Sequence, residues 1–306
     1  MGRRIITSAF NFPGVQSVLR HGHAEGIWTR IELQKLNTIE QDDNALIILG
    51  GFTPDYAQII RKLKKKGFRT GIFWTSSLGQ MEQVPEEIDL FGQVGSLLQS
   101  KDLDFALCGD QTLPVIFGGR LIYAPYPLSM KESYLIKRPK EHKIGIFLPQ
   151  HPRKNILNQV FSLLFLTHHP SIQLHHNLIL PQLPFQTISY QPISDRDKFL
   201  TILVSLTLSL MVTHTESFGY SFVDAVLAGT IPIIGPAMAE YFPQPDFPLP
   251  ITCPNPDSPK EIALTIAPWL ECSDNHRTQT IKTLRKGLKE LAEKNNAQLR
   301  NILGGL

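Results

Sequence analysis

The residues best suited to chemistry lie in one stretch, Thr213-His214-Thr215-Glu216-Ser217-Phe218-Gly219-Tyr220-Ser221-Phe222-Val223-Asp224, continued by Ala225-Val226-Leu227-Ala228-Gly229-Thr230-Ile231-Pro232-Ile233-Ile234. An acid and a serine stand just after the apolar run Ser209 to Val212, and an apolar helical series opens at Tyr220. Gly219 has no side chain, so the backbone can pass close to a ligand there, and the free N–H groups of the new helix favour an anion such as phosphate. Asp224 is placed on the same helix two turns beyond Glu216, and Gly229 ends it. Other groupings are weaker. Asp102-Leu103-Asp104 and Asp195-Arg196-Asp197 spell D-x-D, but both precede a strand or helix instead of following a strand, so no metal role is assigned to them. The pairs His168-His169 and His175-His176 lack the H-E-x-x-H frame or a carboxylate partner of a zinc site. Arg61-Lys62-Leu63-Lys64-Lys65-Lys66 lies late on its helix, where cations suit the negative end.

The elements that carry these residues alternate. Ile5 to Phe10 reads as a first strand, and Ala45 to Leu49 as one buried on both faces and ending at Gly50-Gly51. Thr53-Pro54-Asp55 then supplies an N-cap, an N1 proline and an acid for a helix through Leu63. Strands follow at Thr70 to Trp74, Phe105 to Cys108 and Leu121 to Ala124, with a helix from Glu86 to Gln99 and a loop at Thr75 to Gln80. The prolines of Tyr123 to Leu128 and the polar stretch Lys131 to Lys143 mark a boundary. A second series has strands at Lys143 to Leu148, Ser171 to Leu180, Ser209 to Val212 and Ile231 to Ile234. Its helices are Lys154 to Thr167, Asp195 to Leu206 with Ser194 as cap, and Tyr220 to Ala228. Arg277 to Leu303 is one long amphipathic helix. Such β-α-β order predicts an α/β protein of two doubly wound, Rossmann-like domains: 1–128, a linker at 129–143, and 144–306. Ligands then bind beyond the carboxyl ends of the strands, which directs attention to Asn11, Gly14, Gly51, Ser76, Asp110 and the turn before Tyr220.

Composition excludes several classes. The 306 residues are 42% hydrophobic and 19% charged, ordinary for a globular protein. A net charge of +3 is too small to announce a nucleic-acid binder. Three scattered cysteines form no C-x-x-C, against a disulfide framework and in favour of a reducing, cytoplasmic setting. The most apolar stretch, Phe199 to Val212, carries four hydroxyl residues and is shorter than the ~20 residues a bilayer requires.

The long stretch resembles the donor-binding motif of GT-B glycosyltransferases, especially the glycogen-synthase-like family 4, where E-S-F-G, E-A and A-x-G-x-P-V-I follow in order. Here the matching residues are Glu216-Ser217-Phe218-Gly219, Asp224-Ala225 and Ala228-Gly229-Thr230-Ile231-Pro232-Ile233-Ile234, with Asp224 where the family has Glu. The resemblance implies that Glu216 binds donor-sugar hydroxyls, that the backbone of Ser217, Phe218, Gly219 and Tyr220 meets phosphate or sugar, and that Asp224 meets the ribose. After the strand Lys143 to Leu148, Lys154-Asn155 matches the second element of the family's pyrophosphate clamp; the expected earlier arginine position, near Leu148 to Gln150, holds none, and Arg153, adjacent to Lys154, substitutes for it. In the first domain the resemblance points to His21 near the sugar and to Asp110 near the acceptor. It implies a metal-independent, retaining hexosyltransferase with no resident cofactor. The co-substrate is a UDP-, GDP-, ADP- or dTDP-sugar. The acceptor is a glycan, a lipid-linked molecule or a protein, with peripheral membrane contact through the basic run and no nucleic acid. The alternative is a non-catalytic GT-B module that binds nucleotide or glycan or supports a partner enzyme.

Overall fold

The computed structural model describes residues 4–10, 12–40, 45–118, 121–131, 143–166, 172–180, 182–191, 195–242 and 249–306, with the backbone alone at Pro13 and Asn37. Asn11, Ser194, His168, His169 and most of the expected linker lie outside them. The chain divides into two compact units, residues 1–131 with 292–306, and residues 132–291.

The first unit is built on strands β1 (Ile5–Ser8), β2 (Thr29–Arg30), β3 (Leu46–Gly50), β4 (Arg69–Trp74), β5 (Phe105–Cys108) and β6 (Leu121–Tyr123). Their order is β2-β1-β3-β4-β5-β6 and every pairing is parallel. Helices α1 (Pro13–Ala24), α2 (Asp55–Lys65), α3 (Leu78–Gln83), α4 (Pro85–Gln99) and α5 (Thr112–Phe117) make the crossovers. All five residues of β3 are buried, as its uninterrupted apolar run requires of a strand covered on both faces. Three elements differ from expectation. Residues 13–24, to which no element was assigned, form a helix, because Pro13 pre-sets the first turn and Val15, Val18 and Leu19 bury one face. Thr75 to Gln80 contains the start of α3, capped by Ser77, whose hydroxyl accepts the Gln80 N–H. Helix α2 starts at Asp55 with no side-chain cap from Thr53.

The second unit has strands β7 (Lys143–Ile146), β8 (Gln173–His176), β9 (Gln186–Ser189), β10 (Leu208–Met211) and β11 (Ile231–Ile234). They are ordered β11-β10-β7-β8-β9, again all parallel. Helices α6 (Ile156–Ser162), α7 (Arg196–Val204), α8 (Tyr220–Ala228), α9 (Pro236–Ala239), α10 (Pro259–Glu271) and α11 (Asp274–Gly305) complete the chain. Helix α10 was not foreseen, although Ser258-Pro259-Lys260-Glu261 is a start signal: the Ser258 hydroxyl accepts the Glu261 N–H at 3.2 Å.

The expected boundary at 144–306 needs one correction. Helix α11 begins in the second unit, but from Ala292 onward it belongs to the first. There Asn296 Oδ1 accepts the Leu128 N–H at 3.0 Å and Asn296 Nδ2 donates to the Leu128 carbonyl at 2.7 Å. Asn295 Nδ2 donates to the Tyr126 carbonyl at 3.1 Å. These amides supply the backbone partners that the proline-interrupted segment lacks. No helix among the described residues is long and apolar enough to cross a membrane.

Candidate functional site

In the second sheet, β7 is followed along the chain by β8 on one side, whereas β10 pairs on its other side. The order in which strands are added therefore reverses between β7 and β10, and the loops leaving these two strands diverge beyond their carboxyl ends, where open parallel sheets bind their ligands. The loop after β7 brings Arg153 and Lys154; the loop after β10 brings Glu216. The two loops are joined directly, since the His214 N–H donates to the Arg153 carbonyl at 2.9 Å.

Local geometry explains the placement of Lys154. A helix was expected from Lys154, but Pro152–Lys154 is a 3-10 turn and Asn155 adopts a left-handed φ of 54°, so α6 starts only at Ile156. Asparagine tolerates this conformation. Its side chain is used as well: Asn155 Nδ2 donates to the Val212 carbonyl at 3.0 Å and the Pro256 carbonyl at 2.6 Å. Gln159 on α6 accepts the Val212 N–H at 3.0 Å and donates to the Lys154 carbonyl at 2.8 Å. These two amides lock the loops together and swing Lys154 inward, where only 4% of it is exposed.

The Lys154 ammonium lies 2.8 Å from Glu216 Oε1 and in closer contact with Oε2. Arg153 Nη1 stands 3.9 Å from Glu216 Oε2 and 3.5 Å from the Thr215 carbonyl. Burial pushes the Lys154 ammonium below the ordinary lysine range, Glu216 opposes that shift, and the like charge of Arg153 adds to it. Thr213 Oγ1 and Thr215 Oγ1 are buried without a protein hydrogen-bond partner, unusual for hydroxyls in a well-packed protein. Two cations and one carboxylate thus meet at the switch point, on loops of which one also carries two unsatisfied hydroxyls, a set suited to an anionic, hydroxyl-rich ligand.

The remainder of the motif divides between core and surface. Glu216 precedes α8 instead of lying on the helix with Asp224. Ser217 is half-buried. Phe218 is 3% exposed and packs among Tyr220, Tyr241 and Phe242 with ring centroids 4.9, 5.8 and 5.1 Å away. Tyr220 is buried too. Gly219 has φ +89°, and a Cβ there would lie 2.9 Å from Met238 Cε. Glycine is thus favoured by the backbone conformation, and the space its missing side chain leaves faces Met238. Asp224 is buried on α8 and accepts from Arg196 Nη2 at 2.8 Å. Arg196, Gln159 and the two threonines escaped the sequence reading. The signal for Gln159 was a polar residue within the apolar series of α6; for Arg196 there was only a cation at a helix start.

His21 and Asp110 lie in the first unit. His21 is 3% exposed on α1, and its Nδ1 accepts the Ser129 N–H at 2.9 Å. Asp110 follows β5 as expected and serves two helix starts: Oδ2 accepts the Leu78 N–H and Oδ1 the Thr112 N–H, both at 2.8 Å. Both residues carry structural hydrogen bonds. Of the D-x-D acids, Asp102 pairs with Arg61 at 3.0 Å, Asp104 accepts the Thr70 N–H at 2.8 Å, and Asp195 caps α7 through the Asp197 and Lys198 N–H groups.

No protein-family model matches the chain, and no curated protein matches it at a significant level. Solved structures do. Anabaena HepE in complex with UDP and glucose aligns with a TM-score of 0.69 at 13% identity, covering 99% of this chain and 100% of that one. The E. coli trehalose-6-phosphate protein bound with UDP-2-fluoro glucose aligns with a TM-score of 0.63 at 11% identity, covering 99% of both chains. A UDP-forming trehalose-phosphate synthase from Burkholderia xenovorans aligns with a TM-score of 0.60 at 12% identity, covering 99% of this chain and 100% of that one. At such identities the likeness is one of architecture, and the chain has the GT-B fold of these proteins: two parallel, Rossmann-like sheets and a long C-terminal helix.

Proposed function

We propose that this chain is a glycosyltransferase that moves a sugar from a nucleoside-diphosphate donor to a hydroxyl acceptor. The observation that carries this reading is the meeting of Arg153, Lys154 and Glu216 at the switch point between β7 and β10. Arg153 and Lys154 bind the diphosphate and stabilise the charge that develops on it as the sugar leaves, a preorganised electrostatic role. Glu216 accepts hydrogen bonds from sugar hydroxyls beside the reacting carbon, and Asp224 serves the ribose. Transfer proceeds without a metal and with retention, as in the family-4 enzymes that the motif resembles. Because HepE and the E. coli protein are described with UDP or a UDP-sugar, UDP-glucose is the first donor to test.

A donor that binds only the folded chain stabilises it by RT ln(1 + [L]/Kd), about 2.7 kcal/mol at a hundredfold excess over Kd. Thermal melts with UDP-, GDP-, ADP- and dTDP-sugars should therefore show one clear upward shift, followed by product analysis with sugar acceptors. If none of the four raises the melting temperature, the donor-site reading is wrong. One observation favours the second reading, a non-catalytic module: Glu216 and Asp224 are each already answered by a cation within the protein. Nucleotide binding with neither transfer nor donor hydrolysis would select it.

A further inference from the structure

Helix α8 is apolar and buried from Phe222 to Ala228 except for Asp224, its one charged residue. Asp224 meets Arg196 at 2.8 Å, with their side chains 9% and 15% exposed. Arg196 is the first residue of α7, where a cation opposes the helix dipole. The end of that helix is already served by Asp195, which accepts the N–H groups of Asp197 and Lys198. An arginine here is set against the dipole of its own helix, and a buried ion pair is a costly way to join two helices when apolar residues would do as well. Its geometry has a direction, however. Helices α7 and α8 follow the parallel strands β9 and β10, so both N-termini open at the carboxyl end of the sheet, where the switch-point crevice lies. Asp224 sits about one turn into α8, behind the loop that carries Glu216.

We infer that Arg196 is a positioning residue for nucleoside recognition: it fixes the Asp224 carboxylate so that this acid accepts the ribose hydroxyls of the donor. The inference rests on the donor-site reading above and adds to it a residue outside the motif. Aspartate is one methylene shorter than the glutamate of the resembling family, so its oxygens have less freedom to find the ribose. A guanidinium held against one oxygen restricts the remaining rotation and answers the buried charge.

The test compares ribose discrimination in wild type, Arg196→Gln and Arg196→Lys. Calorimetric titrations use whichever of UDP, GDP and ADP binds wild type most tightly, together with its 2′-deoxy and 3′-deoxy counterparts. In wild type the ribonucleotide should bind at least about tenfold more tightly than one deoxy form, the loss expected for a hydrogen bond to a charged group. Arg196→Gln should weaken the ribonucleotide by about that factor while leaving the deoxy form nearly unchanged, so that the preference collapses. Arg196→Lys should restore part of the preference, and it provides the readout should the glutamine variant not fold. A lowered melting temperature with the ribose preference intact would make Arg196 a mere staple between α7 and α8 and overturn the inference. A wild type that binds nucleoside diphosphate with no ribose preference would overturn it too, leaving the donor-site reading standing. Failure of wild type to bind any of the three nucleotides would remove both.

Discussion

The Lys154 ammonium and the Glu216 carboxylate, 62 residues apart in sequence, meet at 2.8 Å with side chains only 5% and 13% exposed. In the absence of ligand each answers the other's charge. On the donor-site reading proposed above, a diphosphate would compete with Glu216 for Lys154, and a sugar hydroxyl would compete with Lys154 for Glu216. The pair therefore keeps two buried charges in place.

Removing one member exposes the cost of the other. Lys154→Ala leaves Glu216 with Arg153 alone, and breaking a buried ion pair in this way costs roughly 3–5 kcal/mol. Glu216→Gln introduced into Lys154→Ala should recover most of that loss. Urea denaturation of the two single variants and the double variant measures the coupling; a value near zero would mean that the pair contributes no interaction in solution. Lys154→Ala should also lose diphosphate affinity, whereas Glu216→Gln, which releases Lys154 for phosphate, should retain or raise it while turnover falls about ten- to a hundredfold.

Because burial lowers the Lys154 pKa from 10.5, protonated Lys154 is lost at a pH below the ordinary lysine range. Nucleoside diphosphate affinity should accordingly fall as pH rises through that lowered value. Glu216 opposes the shift, so in Glu216→Gln the midpoint should move lower still. Binding measured from pH 7 upward in both proteins gives the comparison; identical midpoints would separate Glu216 from the titration.

His175 gives a stability effect at the acid end. Burial, with Lys143 and His176 nearby, lowers its pKa from 6.5 to about 4. The unfolded chain binds the extra proton between these values, so the contribution is fully present above 6.5 and is lost as pH falls toward 4. Its ring nitrogens are engaged at 2.8 Å with the Tyr190 hydroxyl and Gln173 Oε1. His175→Gln should flatten this part of the stability profile, read from urea midpoints at successive pH values.

Two glycines should respond oppositely to alanine. Gly219→Ala forces a Cβ into φ +89° and against Met238, a loss of about 1–2 kcal/mol from conformation alone. Gly95 lies within α4, where a Cβ meets nothing within 4 Å, so Gly95→Ala should stabilise by roughly 0.5–1 kcal/mol. Thermal melts of the two variants should move in opposite directions.

Asn296→Ala deprives the Leu128 N–H and carbonyl of their partners at 3.0 and 2.7 Å. Each unsatisfied buried group costs about 1–3 kcal/mol. A urea midpoint equal to wild type would show that this clamp does not hold the segment.

Much of the fold could be read from the sequence because its signals are local. A continuous apolar run such as Leu46–Gly50 needs cover on both faces, and alternation of such runs with amphipathic stretches leaves few topologies. The identity of the motif around Glu216 was equally local. Strand β9 was missed because it is short, polar and largely exposed at the sheet edge, so it carries no apolar pattern. The roles inside the motif were decided by tertiary structure. Phe218 and the missing Cβ of Gly219 face protein, Asp224 faces Arg196, and Lys154 turns inward because Asn155 takes a left-handed conformation. The destination of the last helix was likewise undecided: Ile281, Leu284, Leu288, Leu291 and Leu299 announce one apolar side, but not which unit takes it up. Periodicity records that a residue must leave water, whereas its partner is set by residues distant in sequence, as Lys154 and Glu216 are, and only the folded chain brings them together.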